Sequence, residues 1–158
     1  MNIRNTVKAI IVRDNRMLLN VCKDGVFGDY YSLPGGGQRF CETLHEAVVR
    51  ECLEETGYTV KPVRFAALCE TIFTDNGLTI GNPNCAHRSY HIFICEIVNV
   101  EQTEPTEKDE MQESSEWVDV NEITGNAKIR LFPKMVADNI CDILKGTAPI
   151  FLGSNYQN

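Results

Sequence analysis

Between Pro34 and Tyr58 the chain reads PGGGQRFCETLHEAVVRECLEETGY, and both ends of a helix are spelled out within that stretch. Thr43 followed by Glu46 makes a T-x-x-E capping box, in which side chains satisfy two otherwise orphaned amides. Gly57 stands where a left-handed C-terminal cap belongs. A proline and three glycines directly ahead of the helix stop any preceding strand, so the chain must pass from extended to helical structure at one defined place.

The segments around this helix are strand-like. TVKAIIVR and RMLLNVCK are β-rich runs separated by Asp14-Asn15, a signal for a tight hairpin. DYYSLP predicts a third strand, and VKPVRFAALCETIF and RSYHIFICEIV two more, parted by the loop TDNGLTIGNPNCAH. A second helix is expected from Pro133 to Gly146, with Val136, Ile140, Ile143 and Leu144 as its apolar stripe. Strands alternating with two helices define an α/β or α+β layered domain. At 158 residues the chain is expected to form a single domain, 1–158.

The charge balance narrows the partners. A formal net charge of −7 disfavours non-specific binding to nucleic acid or to an anionic membrane, since both reward clustered Lys and Arg. A small anionic substrate stays compatible if a bound cation reverses the local field. The N-terminal apolar stretch AIIV is too short for a signal-peptide core or a span. The seven cysteines form no C-x-x-C pair, as expected of reduced thiols in a cytoplasmic protein. Cys85, His87 and His91 cluster in the sequence, but at a spacing that fits no common zinc pattern.

On a wheel of about 100° per residue, Ala47, Val48, Glu51 and Glu55 fall within about 60° of Leu44, and Glu54 lies about 80° away. Val49 and Leu53 form a second apolar strip opposite. The three glutamates thus continue an apolar strip of a helix that is expected to be covered on two sides. In water, like charges at this spacing cost only about 0.2–0.5 kcal/mol per pair, so a solvated acidic edge is one reading. Under partial burial each uncompensated carboxylate costs on the order of several kcal/mol, and a divalent cation removes that penalty. Hard oxygen donors without Cys or His favour Mg²⁺ or Mn²⁺ over zinc. Gly35, Gly36 and Gly37 would let backbone carbonyls come close to an ion. They lack the G-K-[ST] ending of a nucleotide-binding P-loop, and the chain has no G-x-S-x-G elbow.

Gly36, five residues, Glu42, seven residues, then Arg50-Glu51-Cys52-Leu53-Glu54-Glu55-Thr56-Gly57-Tyr58 resembles the signature box of the Nudix hydrolases. Every charged and glycine position of that box, residues 36–58, is filled at the family's spacing. The LPGGG approach and the stretch SSEWVDVNEI, similar to the family's Trp-containing strand and following short helix, extend the likeness. Cys41 departs from it, standing where many members have glycine.

The resemblance implies an α/β/α sandwich with a mixed β-sheet. It also implies a divalent-metal-dependent pyrophosphohydrolase that cleaves a nucleoside diphosphate linked to another moiety by water attack at phosphorus. Carried over, Glu51, Glu54 and Glu55 bind Mg²⁺, with Mn²⁺ as the alternative, and the carbonyl of Gly35 or Gly36 is a further ligand. Arg50 holds the glutamates, unless it makes an ordinary i,i+4 pair with Glu46. Glu42 orients Arg50 or simply complements the helix dipole. The general base is Glu51 or Glu54, or a carboxylate of the acidic stretch 101–116, where Glu110 and Glu113 are the candidates. Arg39, Tyr31 and Arg88 are candidate substrate contacts, with Lys23 a further phosphate contact and Tyr30, Phe73 and Trp117 further stacking surfaces. The tail APIFLGSNYQN is apolar enough to pack on the body or on a second copy of the chain. The alternative reading is a Nudix-like domain that binds a nucleotide metabolite without hydrolysing it.

Overall fold

The computed structural model describes residues 3–25, 28–73, 87–98, 101–107, 111–125 and 129–157. In chain order the elements are β1 (Ile3–Arg13), β2 (Arg16–Cys22), β3 (Tyr30–Ser32), α1 (Leu44–Thr56), β4 (Val60–Phe73) and β5 (His87–Ile97). There follow β6 (Gln112–Asp119), α2 (Val120–Gly125), β7 (Leu131–Phe132), α3 (Lys134–Asp138), α4 (Ile140–Lys145) and β8 (Ile150–Gln157). Among the described residues no helix is long and apolar enough to cross a membrane.

The strands run β7-β3-β2-β1-β5-β4-β8, with β6 paired to the other side of β2. The sheet is mixed: β1–β5, β3–β7 and β4–β8 are parallel, whereas β1–β2, β2–β3, β2–β6 and β4–β5 are antiparallel. The β1–β2 hairpin turns on Asp14 and Asn15, both at positive φ (50° and 59°), as a two-residue turn matched to strand twist requires. On β1, Val7, Ala9 and Ile11 pack with Ala47, Val48 and Cys52 of α1. Ile10 faces a second core with Ile123, Val136, Ile140 and Ile143 of the other helices. Period-two alternation thus gives the sheet two covered faces, and the α/β/α layering follows.

Several elements differ from the sequence expectation. The third strand is confined to Tyr30–Ser32, because Pro34 and the glycines leave the β2 ladder and run along β1 instead. The single helix expected over 133–146 is two short ones. Asn139 adopts φ −116° and ψ 13° between them, and its side-chain amide donates to Met135 O at 2.8 Å, a local bond that competes with helix continuation. Leu53, assigned to a buried strip of α1, is exposed. The tail forms β8, parallel to β4, an edge strand of the sheet.

Candidate metal centre and substrate cleft

The two ends of α1 are as the sequence specifies. Thr43 Oγ1 accepts from the Glu46 amide while Glu46 Oε2 accepts from the Thr43 amide, and Gly57 sits at φ 72° with its N–H on Leu53 O. The box loop is hung on β1: Ala9 N donates to Pro34 O, Val7 N to Gly36 O and Gln38 N to Asn5 O. This antiparallel graft brings the glycines against the helix. A Cβ on Gly35 (φ 129°) would overlap Val7 O, and one on Gly36 would lie 2.5–2.8 Å from the Glu51 carboxylate. Gly35 therefore requires glycine, and a side chain at Gly36 would have to displace the Glu51 carboxylate.

Arg50 is the hub of the acidic cluster. Its Nε and Nη2 bond Glu42 in a bidentate fork (2.7 and 2.9 Å), and Nη1 reaches Glu51 (2.6 Å) and Glu54 (2.9 Å). Nη2 also donates to Gly37 O at 3.0 Å. Glu46, engaged in the capping box, is not its partner. Glu42 also accepts from the Arg39 amide, and the Arg50 guanidinium holds its carboxyl down at about 2. Glu51 is shifted the other way: burial raises its pKa, against the pull of Arg50 and Lys8.

Glu55 is held differently. Only 3% exposed, it accepts from Asn20 Nδ2 (2.7 Å) and from the Gly35 amide (2.8 Å). Asn20 is oriented in turn by Ser115 Oγ, which donates to its Oδ1, and Gln112 Nε2 donates to Ser115 Oγ and to Glu55 O. A buried polar chain thus runs from β6 through β2 to the box. Asn20 lies inside the apolar run LLNVC, and a polar residue there is the signal that marks it.

Lys8 is a second residue that sequence reasoning missed. It is 6% exposed, and its Nζ donates to Leu33 O (2.8 Å), to Ser32 Oγ (3.3 Å) and to Gly35 O. A lysine between Val7 and Ala9 in a doubly covered strand has to find acceptors, and here they are the carbonyls of the box loop. Gly36 O is engaged by the Val7 amide, so of the two carbonyls expected near a cation, Gly35 O points to Lys8 and Gly36 O into β1.

A cleft of about 300 Å³ gathers Glu51, Glu54 and Glu55 with Gly35, Gly36, Gly37, Lys8, Arg39 and Arg50. Arg4, Thr6, Arg88, Tyr90, Tyr30, Phe132 and Glu107 also line it. Arg39 reaches Glu54 at 3.4 Å and Glu107 at 3.8 Å. Tyr31 does not line the cleft, and its hydroxyl donates to Glu116 Oε1. Neighbouring residues of a strand face opposite sides, so Tyr30 lines it instead. Glu113 lies outside the cleft, paired with Lys23 at 2.8 Å, and Trp117 lies under the Arg13 guanidinium. Glu110, Cys85 and the side chain of Phe73 lie outside the described residues. The acidic stretch contributes Glu107, because the Thr106 and Glu107 amides both donate to Glu54 O and pin that segment to the end of α1.

Among the described residues no three acidic, His or Cys side chains are grouped as a metal would hold them. Arg50 draws Glu51 and Glu54 to itself, while Glu55 turns to Asn20 and Gly35. The donors nevertheless suit a hard cation in being all oxygen, in one cleft and on one helix face. A cation would compete with Arg50 for Glu51 and Glu54.

The NUDIX domain family model matches residues 3–137, and the chain belongs to that family. An ADP-ribose pyrophosphatase of Methanocaldococcus jannaschii is 47% identical over 55 residues, 35% of this chain and 32% of that relative. The match therefore spans about a third of that relative's length. A NUDIX hydrolase of Nitrosomonas europaea superposes with TM-score 0.70 at 20% identity, covering 90% of this chain and 88% of that one. An ADP-ribose pyrophosphatase of Streptococcus suis gives 0.63 at 20% identity over 95% and 99% of the two chains. A MutT protein of Methanosarcina mazei gives 0.65 at 22% identity over 89% and 91%. At these identities the likeness is one of fold, an α/β arrangement around a mixed, curled sheet.

Proposed function

We propose that this chain is a divalent-metal-dependent pyrophosphohydrolase acting on a nucleoside diphosphate linked to another moiety. The observation that carries the reading is that Glu51, Glu54 and Glu55 share one cleft with the glycine loop and with Arg4, Arg39 and Arg88. Relatives whose names specify ADP-ribose pyrophosphatase and UDP-X diphosphatase support the same reaction class.

Glu51, Glu54 and Glu55, with Gly35 O, would hold Mg²⁺ or Mn²⁺, which when bound neutralises phosphate charge and acidifies water. The chain's own groups do the rest. Arg50 keeps Glu51 and Glu54 on the cleft side of α1, the Asn20–Ser115–Gln112 chain fixes Glu55, and Lys8 fixes the loop that carries Gly35. The proton of the attacking water passes to a carboxylate of the cleft, Glu51 or Glu54 on the helix or Glu107 on the later loop. Glu107 takes this place ahead of Glu113, because it lies in the cleft.

The test is a Mg²⁺ assay over nucleoside triphosphates, ADP-ribose, nucleotide sugars and dinucleoside polyphosphates, run in ¹⁸O-water with products identified by mass. Glu54→Gln and Glu55→Gln are expected to abolish turnover while preserving the circular dichroism spectrum. Unchanged turnover in both variants sinks the assignment.

A further inference from the structure

The cleft has two chemically distinct ends. The parallel register of β1 and β5 sets Arg4 beside Arg88 and Thr6 beside Tyr90, and all four line the cleft. Arg4, Thr6 and Lys8 are successive same-face positions of β1. The backbone of the arginine pair therefore stands about 13 Å along the strand from that of Lys8.

Two observations point to a ligand at this end. Thr6 is 5% exposed and Tyr90 1% exposed, yet among the described residues the Thr6 Oγ1 has no hydrogen-bond partner and the Tyr90 hydroxyl has only the Arg88 guanidinium beside it. A buried hydroxyl left short of partners is unfavourable, and both of these residues line one cleft. Burial pushes the Tyr90 hydroxyl up to about 12 against the pull of Arg88 and Arg4, so it stays a donor at neutral pH. The Arg4 guanidinium is also seated against the box loop, with its atoms 2.5–3.0 Å from where a Cβ of Gly37 would lie. Gly37 thus leaves room for the arginine.

Charge decides the ligand class. The chain carries a net −7, yet among the described residues five Lys and Arg line this cleft: Arg4, Lys8, Arg39, Arg50 and Arg88. Lys8, Arg39 and Arg50 are directed at the loop carbonyls and glutamates of the acidic end. The Arg4–Arg88 pair with two donor hydroxyls matches a tetrahedral dianion, since guanidinium forks and hydroxyls all donate to phosphoryl oxygens. Two adjacent guanidinium groups attract an anionic group more strongly than a neutral sugar.

We propose that Arg4, Thr6, Arg88 and Tyr90 form a subsite for a phosphoryl group beyond the cleaved diphosphate. The preferred substrate then carries an additional phosphate, in the tail or on the linked moiety, and does not end in a neutral sugar. This rests on the hydrolase reading above and names its substrate class.

The experiment compares kcat/KM with Mg²⁺ for a nucleoside triphosphate, for ADP-ribose, and for ADP-ribose phosphorylated on its terminal ribose, in the wild type, Arg88→Gln, Arg4→Gln and Thr6→Val. The wild type is expected to favour one of the two phosphate-bearing substrates over ADP-ribose, and which one tells tail phosphate from monoester. Each arginine variant is expected to lose ~10- to 100-fold on the favoured substrate, the range of a charge-assisted hydrogen bond, with a smaller loss on ADP-ribose. Preference for ADP-ribose, or equal losses on all three substrates, overturns the proposal. A second arm measures calorimetric binding of inorganic tripolyphosphate in EDTA to the wild type and Arg88→Gln. Binding that Arg88→Gln weakens about tenfold or more supports the subsite even if no substrate turns over, which would defeat only the hydrolase reading; absent or unchanged binding overturns the subsite.

Discussion

Replacing Arg50 with Met isolates the hub of the acidic cluster. The guanidinium side chain is 16% exposed, and Glu42, Glu51 and Glu54 around it are 13%, 13% and 19% exposed. Without it, three largely desolvated carboxylates lose their shared counter-charge, and Gly37 O loses a donor. Breaking a buried ion pair from one side costs about 3–5 kcal/mol. For a chain of this length that corresponds to a fall in Tm of about 6–20 °C. Under the proposed function Arg50 would compete with a cation for Glu51 and Glu54, so removing it would expose those donors. Metal at about 100 times its Kd adds about 2.7 kcal/mol of stability. The gap between wild type and variant should therefore narrow in saturating MgCl₂. The assay is thermal unfolding by circular dichroism in EDTA and in MgCl₂, with Arg50→Lys as an intermediate that keeps the charge but loses the fork. A loss in EDTA of under about 1 kcal/mol, the worth of a surface pair, refutes the reasoning, as does a gap that MgCl₂ leaves unchanged.

Two further outcomes follow from the same geometry. Glu42 has its carboxyl held at about 2, below its ordinary 4.5, so its contribution to stability is complete above about pH 4.5 and is lost as pH falls towards 2. Glu42→Gln should flatten acid unfolding in that window relative to wild type, and parallel curves would contradict it. Cys41 adopts φ 63°, the left-handed region, at the position where the box departs from glycine. A left-handed non-glycine residue costs about 1–2 kcal/mol and glycine loosens the unfolded chain by about 0.4–1 kcal/mol, so Cys41→Gly should stabilise by up to about 1.6 kcal/mol. Cys41→Val, β-branched, should destabilise, and the opposite order of Tm values would show that the loop does not hold this conformation.

What the sequence made legible was local chemistry. The capping box, the left-handed Gly57 and the Asp14-Asn15 turn each rest on contacts a few residues apart, and all three stand in the structure where the residues put them. What escaped was set by pairing at long range. The two-residue β7 exists because Leu131 and Phe132 meet Tyr31 and Ser32, and β8 because the tail finds the edge of β4. Nothing in either run has a period long enough to read. The cleft shows the same division. Arg50 was visible within its own box, whereas the adjacency of Arg4 to Arg88 depends on the β1–β5 register, which no spacing in the chain encodes. Lys8 and Asn20 were readable in principle, as polar residues in runs with no solvent face.

Helix α1 is oriented against its own electrostatics. Its backbone dipole leaves partial negative charge at the C-terminal end, where Glu51, Glu54 and Glu55 sit and no basic residue occupies the last turn. The segment that closes that end, 101–107, is itself acidic and bonds the helix's last carbonyls through Gln102, Thr103, Thr106 and Glu107. A helix arranged for its own stability would reverse this polarity, at about 0.3–1 kcal/mol per charge. Under the proposed function the backbone would act alongside the side chains as part of the attraction for a cation. Because this helix also covers one face of the sheet, ion occupancy and the integrity of the whole layer would then be coupled. Chelation should then act on the protein as a denaturing stress as well as a loss of a reagent.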